Sequence, residues 1–287
     1  MRYDRSSEEW NAVEVSNNLS SRKRSWIDLN TVDAWRHIRM LEPLRRLGEE
    51  GDQWLTIGDG RYGSDARILK KWGKRVCASD FWPELLQKSD EYGLELEWKK
   101  LNAEEISEAD ETYDFVLAKE CLHHLPRPYL GLYEILRVAK KAAVIIEPHD
   151  TRNIIKEAVK VCLGRAVSLD GYWFEPVGNF GYSFRIRELE KLQLGLGYRC
   201  MAYQYLADYY DERLEHIQVT GGTVKERCIS LVFRAWITLL NFLTRQRIIK
   251  PRLVAAILFK KVPEKKEVKK LRTSGWKVKM LPKNPYI

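Results

Sequence analysis

The stretch from Trp54 to Asp80 constrains this chain most. An apolar run, Trp54-Leu55-Thr56-Ile57, enters the turn Gly58-Asp59-Gly60-Arg61-Tyr62-Gly63. A helical segment from Asp65 to Trp72 follows, then a second apolar run, Arg75-Val76-Cys77-Ala78, that ends on Ser79-Asp80. Glycines at this spacing let the backbone turn sharply, approach a ligand and pack the following helix closely on a sheet. An acid at the tip of the next strand is placed to hydrogen-bond a ribose diol. Strand, turn, helix and acid together describe a nucleoside-cofactor site.

Strand and helix patterns then alternate to position 150, with strands expected at 53–57, 75–79, 95–99, 113–118 and 142–147 and helices near 65–72, 83–91, 104–108 and 128–139. Ala142-Ala143-Val144-Ile145-Ile146 is apolar throughout, as a parallel strand covered on both faces should be. The fold class expected is α/β, a doubly wound, Rossmann-like and mostly parallel sheet whose last strand is antiparallel. Residues 1–49 read as an arm and a lid helix carrying Val32, Trp35, Ile38 and Leu41, and 50–150 as the cofactor-binding core. Residues 151–262 read as the second half of the fold. They hold helices at 152–163, 186–195 and 223–246, strands near 198–205 and 252–260, and an aromatic segment, 172–184, as core and lid packing or a sugar-stacking wall. Residues 263–287 read as an extended basic tail.

In a parallel sheet, ligands sit beyond the carboxyl ends of the strands. The fourth strand ends in Lys119-Glu120-Cys121-Leu122-His123-His124, and the fifth in Glu147-Pro148-His149-Asp150, so three of five histidines fall at adjacent strand tips. Transfer to a hydroxyl would want a general base, for which His123, His124 or His149 are candidates, with Glu120 or Asp150 orienting one of them. The alternative at this point is that the histidine pair only shapes the pocket. A further alternative is a divalent metal held by Glu120, His124, His149 and Asp150, although no tight metal-ligand spacing is present and no metal site is expected.

The net charge of +9 does not make a nucleic-acid face, because Lys260–Ile287 contributes +8 of it. The five cysteines are scattered without a CxxC pair, which fits a reducing, cytoplasmic compartment. The segment Met1–Trp10 is too polar for a secretory signal.

With these motifs the chain resembles the class I S-adenosylmethionine-dependent methyltransferases. It looks most like a subgroup with a GDGRYG turn and an RPYLGLYEILRVAKKA helix leading to IIEPHD, associated with polysaccharide and surface-glycan modification. The resemblance implies that S-adenosylmethionine is the cofactor, and that Gly58, Gly60 and Gly63, with Asp59 in the same turn, cradle its methionine moiety. Asp80 would bind the ribose, Asn102 and Ala103 the adenine, and Glu120 to His124 would line the methyl-transfer pocket. Two positions depart from the family pattern, which has acids where this chain has Thr56 and Asn102.

The activity expected is O-methylation of a sugar or glycan intermediate. The rivals are an NAD(P)-dependent oxidoreductase using the same turn, and a non-catalytic cofactor-binding subunit suggested by Thr56 and Asn102. The partner expected is a small-molecule or glycan acceptor, with no nucleic acid. The helix at 225–247 carries Leu231, Ala235, Leu239 and Phe242 on one stripe, flanked by Lys225, Arg227, Arg245, Arg247 and Lys250. Packing on the domain edge explains it, as does peripheral contact with the inner face of a membrane, where a lipid-linked acceptor would lie. Nothing in the residues fixes an oligomeric state.

Overall fold

The computed structural model describes residues 26–150, 162, 174 and 180–286. Eight strands form one sheet in the order β3-β2-β1-β4-β5-β7-β6-β8. They are β1 Gln53–Ile57, β2 Arg75–Asp80, β3 Glu97–Lys100, β4 Tyr113–Lys119, β5 Ala139–Pro148, β6 Cys200–Leu206, β7 Leu253–Phe259 and β8 Lys277–Met280. Strands β1 to β5 pair in parallel, whereas β7 runs antiparallel to both β5 and β6, and β8 antiparallel to β6. The expected Rossmann-like sheet is therefore present, with two antiparallel strands.

Alternation along the central strands explains the layers. In β7, Leu253, Ala255, Ile257 and Phe259 join one core cluster, and Val254, Ala256 and Leu258 join the other. In β5, Ala142, Val144 and Ile146 face the first, Ala143 and Ile145 the second. Successive side chains of a strand point to opposite faces, so a strand apolar at every position needs helices on both sides.

Seven helices are described: α1 Val32–Leu41, α2 Ser64–Lys71, α3 Glu84–Gln87, α4 Pro128–Val138, α5 Ile186–Gly195, α6 Val224–Arg245 and α7 Lys265–Thr273. Their starts are chemically marked. Thr31 Oγ1 accepts from Ala34 N at the head of α1. Pro128 opens α4, where its missing N–H costs no hydrogen bond. Thr223 and Glu226 form a reciprocal capping box on α6.

Three expectations need correction. The helix expected at 104–108 is a turn, because Asn102 Oδ1 accepts from Glu104 N and ends the chain's extension locally. The helix expected at 83–91 shortens to α3 and a separate 3-10 turn, Asp90–Tyr92. The expected extended tail is folded as α7 and β8, with Leu271, Trp276 and Leu281 buried and Trp276 Nε1 donating to Pro43 O at 3.1 Å. Its lysines occupy exposed positions of an edge strand and an outer helix, a placement that keeps a sheet edge from pairing with other chains. The helix expected at 152–163 lies outside the described residues, apart from Cys162.

Candidate active site

A cavity of about 420 Å³ opens at the carboxyl ends of β1, β2 and β4, where the strand order reverses. Its lining divides into a glycine cradle with the tip of β2, and a charged end beneath α1.

In the cradle, Gly58 and Gly63 have φ of 72° and 62°. A Cβ on Gly58 would collide with Cys121 Sγ, and one on Gly63 with Leu96. A Cβ on Gly60 would lie 2.8 Å from Asp80 Oδ2. The glycines thus remove side chains where the turn meets its neighbours. Asp80, Phe81, Trp82, Leu101, Asn102 and Ala103 continue the wall, with Asp80 Oδ1 accepting from Trp82 N at 2.8 Å. Every expected cofactor residue but Gly63 lines the cavity; Gly63 sits one turn behind it at the start of α2.

Asp59 has a further structural task. Its carboxylate accepts from Thr56 Oγ1 at 2.9 Å, Asp65 N at 3.1 Å and Ala66 N at 2.8 Å. It therefore caps α2 and ties the turn to β1. The carboxylate missing at Thr56 is supplied three residues later, and the Thr56 hydroxyl donates to it. Burial, then the neighbouring Asp65, push the Asp59 carboxyl up to about 7. The unfolded carboxyl ionises near 3.8, so between about pH 4 and 7 the folded chain holds a proton that the unfolded chain has released. This contribution to stability is complete below pH 4 and is lost as pH rises through 7. Asp59→Asn is expected to flatten the stability profile over that window by up to about 1.4 kcal/mol per pH unit. Urea unfolding midpoints measured across that window check it, and identical slopes in both proteins would refute the assignment.

The charged end is built by α1 and by the segment after β6. Arg36 Nε and Nη2 donate to Asp208 at 3.0 and 2.5 Å, and Nη1 to Asp33 at 2.5 Å. Tyr210 Oη donates to Glu215 at 2.5 Å, and the Arg36 guanidinium lies 5.2 Å over the Tyr210 ring. Lys119 is buried between His37 and Asp65, its Nζ 2.9 Å from His37 Nδ1 and 3.3 Å from Asp65 Oδ2. Burial, then Lys119, hold His37 well below the ordinary histidine range, so the neutral ring accepts from the lysine. Burial opposes the charge on Lys119, but Asp65 and Glu120 outweigh it and raise its pKa.

Glu120 adopts φ of 49°, a costly conformation for a residue with a side chain. Burial would raise its pKa, yet Lys119, Arg36 and Arg61 together hold the carboxyl below its usual range. The strained backbone thus aims a fixed anion into the cavity.

Behind it, His123 Nδ1 lies 2.7 Å from Glu147 Oε2, while Glu147 Oε1 accepts from Cys121 N at 3.0 Å and Leu122 N at 2.8 Å. The wholly buried Glu147 therefore fixes both the loop after β4 and the His123 ring. His124 packs against His123 with ring centroids 3.9 Å apart and ring planes tilted by 39°, and both line the cavity.

Of the expected catalytic set, Glu120, His123 and His124 meet in the cavity, whereas His149 does not line it. His149 packs edge-on against Tyr205 at 5.0 Å, and Asp150 pairs with Arg185 at 2.6 Å, so the metal set considered from sequence is not assembled. Among the described residues no cluster of three or more His, Cys, Asp or Glu could hold a metal ion. Phe174, Phe180, Tyr182 and Phe184, the described members of the aromatic run, lie outside the cavity wall.

His37 of α1 is part of the wall. With Asp33, Arg36, Asp208, Tyr210 and Glu215 it was missed as a site residue. One signal was present: Asp33, Arg36 and His37 share an α1 face at spacings of three and four, too polar for a core stripe.

The sheet and cradle define an S-adenosylmethionine-dependent methyltransferase fold. The antiparallel β7 between β5 and β6 separates it from the 3-2-1-4-5-6 order of dinucleotide-binding domains, which sets the oxidoreductase reading aside. Residues 55–146 match the family model of a methyltransferase domain. The chain is similar to a solved chain of a Haloferax volcanii complex between the Trm112 methyltransferase activator and a protein described as a methyltransferase. That likeness has a TM-score of 0.51 at 16% identity, covering 80% of this chain and 92% of that one. It is also similar to a Thermotoga maritima S-adenosylmethionine-dependent methyltransferase described as a possible histamine N-methyltransferase, with a TM-score of 0.48 at 18% identity, covering 80% and 92%. An Archaeoglobus fulgidus S-adenosylmethionine-dependent methyltransferase gives 0.47 at 21%, covering 78% and 94%. No curated protein matches the chain. The cofactor is S-adenosylmethionine, and the cavity lined by Gly58, Asp59, Gly60 and Asp80 is where these residues would hold it.

Proposed function

We propose that the protein O-methylates a sugar or glycan intermediate, with His123 as general base. The observation carrying this reading is His123 in the cavity wall, paired with the buried Glu147 behind it. Bound S-adenosylmethionine supplies an electrophilic methyl group on a sulfonium. Gly58 and Gly60 would admit it, Asp80 would hold its ribose, and Asn102 and Ala103 its adenine. A hydroxyl must lose its proton as its oxygen is methylated, whereas a carboxylate or a neutral amine needs little more than positioning. Donation from Nδ1–H to Glu147 puts the imidazole lone pair on Nε2, which takes the acceptor's proton, and Glu147 stabilises the imidazolium that forms. A hydroxylated acceptor suits an end walled by hydrogen-bonding groups, Glu120, Arg36 and Tyr210 among them. His124, packed against the His123 ring, limits its movement.

Titration calorimetry with S-adenosylhomocysteine, NADH and NADPH tests the first half. Micromolar binding of the first alone is expected, and binding of either dinucleotide in its place would overturn the reading. Labelled-methyl transfer to hydroxylated and aminated sugars tests the second half, and transfer to the amines alone would remove the need for a base.

A further inference from the structure

Helix α6 turns its most apolar face outward. Ser230, Phe233, Ile237 and Thr244 are buried, and Phe233 and Ile237 pack on Val32 of α1. On the opposite side Leu231 is 62% exposed, Val232 69%, Leu239 54% and Phe242 57%. A soluble helix normally presents polar residues there, so this stripe calls for a partner. The rim of the stripe is basic: Lys225, Arg227, Arg245, Arg247 and Lys250 are exposed, while the single acid of the helix, Glu226, is engaged in its N-terminal cap. The basic segment that follows adjoins it. Arg245 Nη2 donates to Gln204 Oε1, and Gln204 Nε2 donates to Ser274 O just beyond α7, whose Lys265, Lys266, Lys269, Lys270 and Arg272 are exposed.

We infer that α6 docks the protein on an anionic membrane surface, with its outer stripe at the acyl boundary and its basic rim on lipid phosphates. By length and composition the helix could cross a membrane, but its inner face is occupied by α1 and β6, so it lies on the bilayer rather than through it. A second copy of the chain fits poorly, because a two-fold pairing of this stripe would bring its basic rims together. The flank of the helix beside the stripe reaches toward the cavity. Trp236 on α6 meets Tyr209 edge-on at 5.2 Å, and the adjacent Tyr210 lines the pocket. Docking would hold the pocket mouth next to molecules lying in the bilayer surface. The inference does not depend on which acceptor is methylated.

Flotation of the full chain with vesicles tests it, comparing equal parts phosphatidylcholine and phosphatidylglycerol with phosphatidylcholine alone. Partitioning onto the anionic vesicles is expected to be at least about tenfold higher, and to weaken as salt rises. The double variant Leu239→Glu, Phe242→Glu is expected to lower it by about tenfold or more, and Leu231→Gln with Val232→Gln to do likewise. Both variants should bind S-adenosylhomocysteine as the unaltered chain does, which shows that they are folded. Absent flotation of the unaltered chain, or equal flotation of folded variants, would overturn the inference. So would a dimer, seen by ultracentrifugation, that both variants disperse, since the stripe would then belong to a second copy.

Discussion

His123→Asn is expected to lower methyl-transfer turnover by about 10²–10⁴-fold, the range over which a positioned base contributes. Asparagine is the informative replacement, because its amide nitrogen overlays the imidazole Nδ1 and keeps a donor toward Glu147 Oε2. The loop from Cys121 to His124 therefore stays tied to β5, and S-adenosylhomocysteine affinity should remain within about twofold of the unaltered chain, since no cofactor hydrogen bond is removed. The limb of the pH–rate profile that reports imidazole deprotonation should disappear with the ring. Single-turnover rates across pH, at saturating cofactor, make the measurement. Unchanged turnover would withdraw the base assignment and leave His123 a shaping role. Glu147→Gln adds a separate reading, because Glu147 Oε1 already accepts from two backbone amides. A glutamine can face those amides or His123 with its oxygen, but not both. It should cost about 1–3 kcal/mol of stability as well as turnover.

The second large effect concerns the cofactor. In Gly60→Ala the added methyl falls 2.8 Å from Asp80 Oδ2, while Gly60 itself is outside the positive-φ region. The backbone can accept alanine, so the strain lands on the Asp80 carboxylate, which must swing aside. Losing a charged hydrogen bond of this kind costs about 1.5–3 kcal/mol, or a dissociation constant for S-adenosylhomocysteine about 10–150-fold weaker. Asp80→Ala should weaken binding by a similar factor, and the double variant should be little worse than either alone, because both remove one interaction. Gly58→Ala is expected to differ: at φ of 72° and against Cys121 Sγ it strains the fold itself, and melting should register it. Additive losses in the Gly60–Asp80 pair would show that the two residues act separately.

These effects follow from residues that were legible to different degrees. The cradle could be read because its meaning is local: glycine spacing, the strand before it and the acid after the next strand lie within thirty residues. Glu120, His123 and His124 were legible as a strand tip, yet the partner of His123 was not, since Glu147 lies twenty-four positions away on β5. Asp59 read as a cofactor contact because sequence cannot show that its carboxylate reaches the first amides of α2. The basic C-terminal stretch read as a tail because Leu271, Trp276 and Leu281 are few among many charges, and their burial depends on β6 offering an open edge.

The sequence by itself determined the α/β class, the parallel core through β5, and the glycine turn with Asp80 at the next strand tip, because strand periodicity and turn chemistry act over short stretches of chain. Tertiary structure alone decided the charged end of the cavity. Arg36 meets Asp208 across 172 positions, Lys119 meets His37 across 82, and α6 keeps its apolar stripe outward only because α1 and β6 cover its other face. Ion pairs and packing of that range are set by which elements the sheet brings together, and a pattern read along the chain carries no term for them.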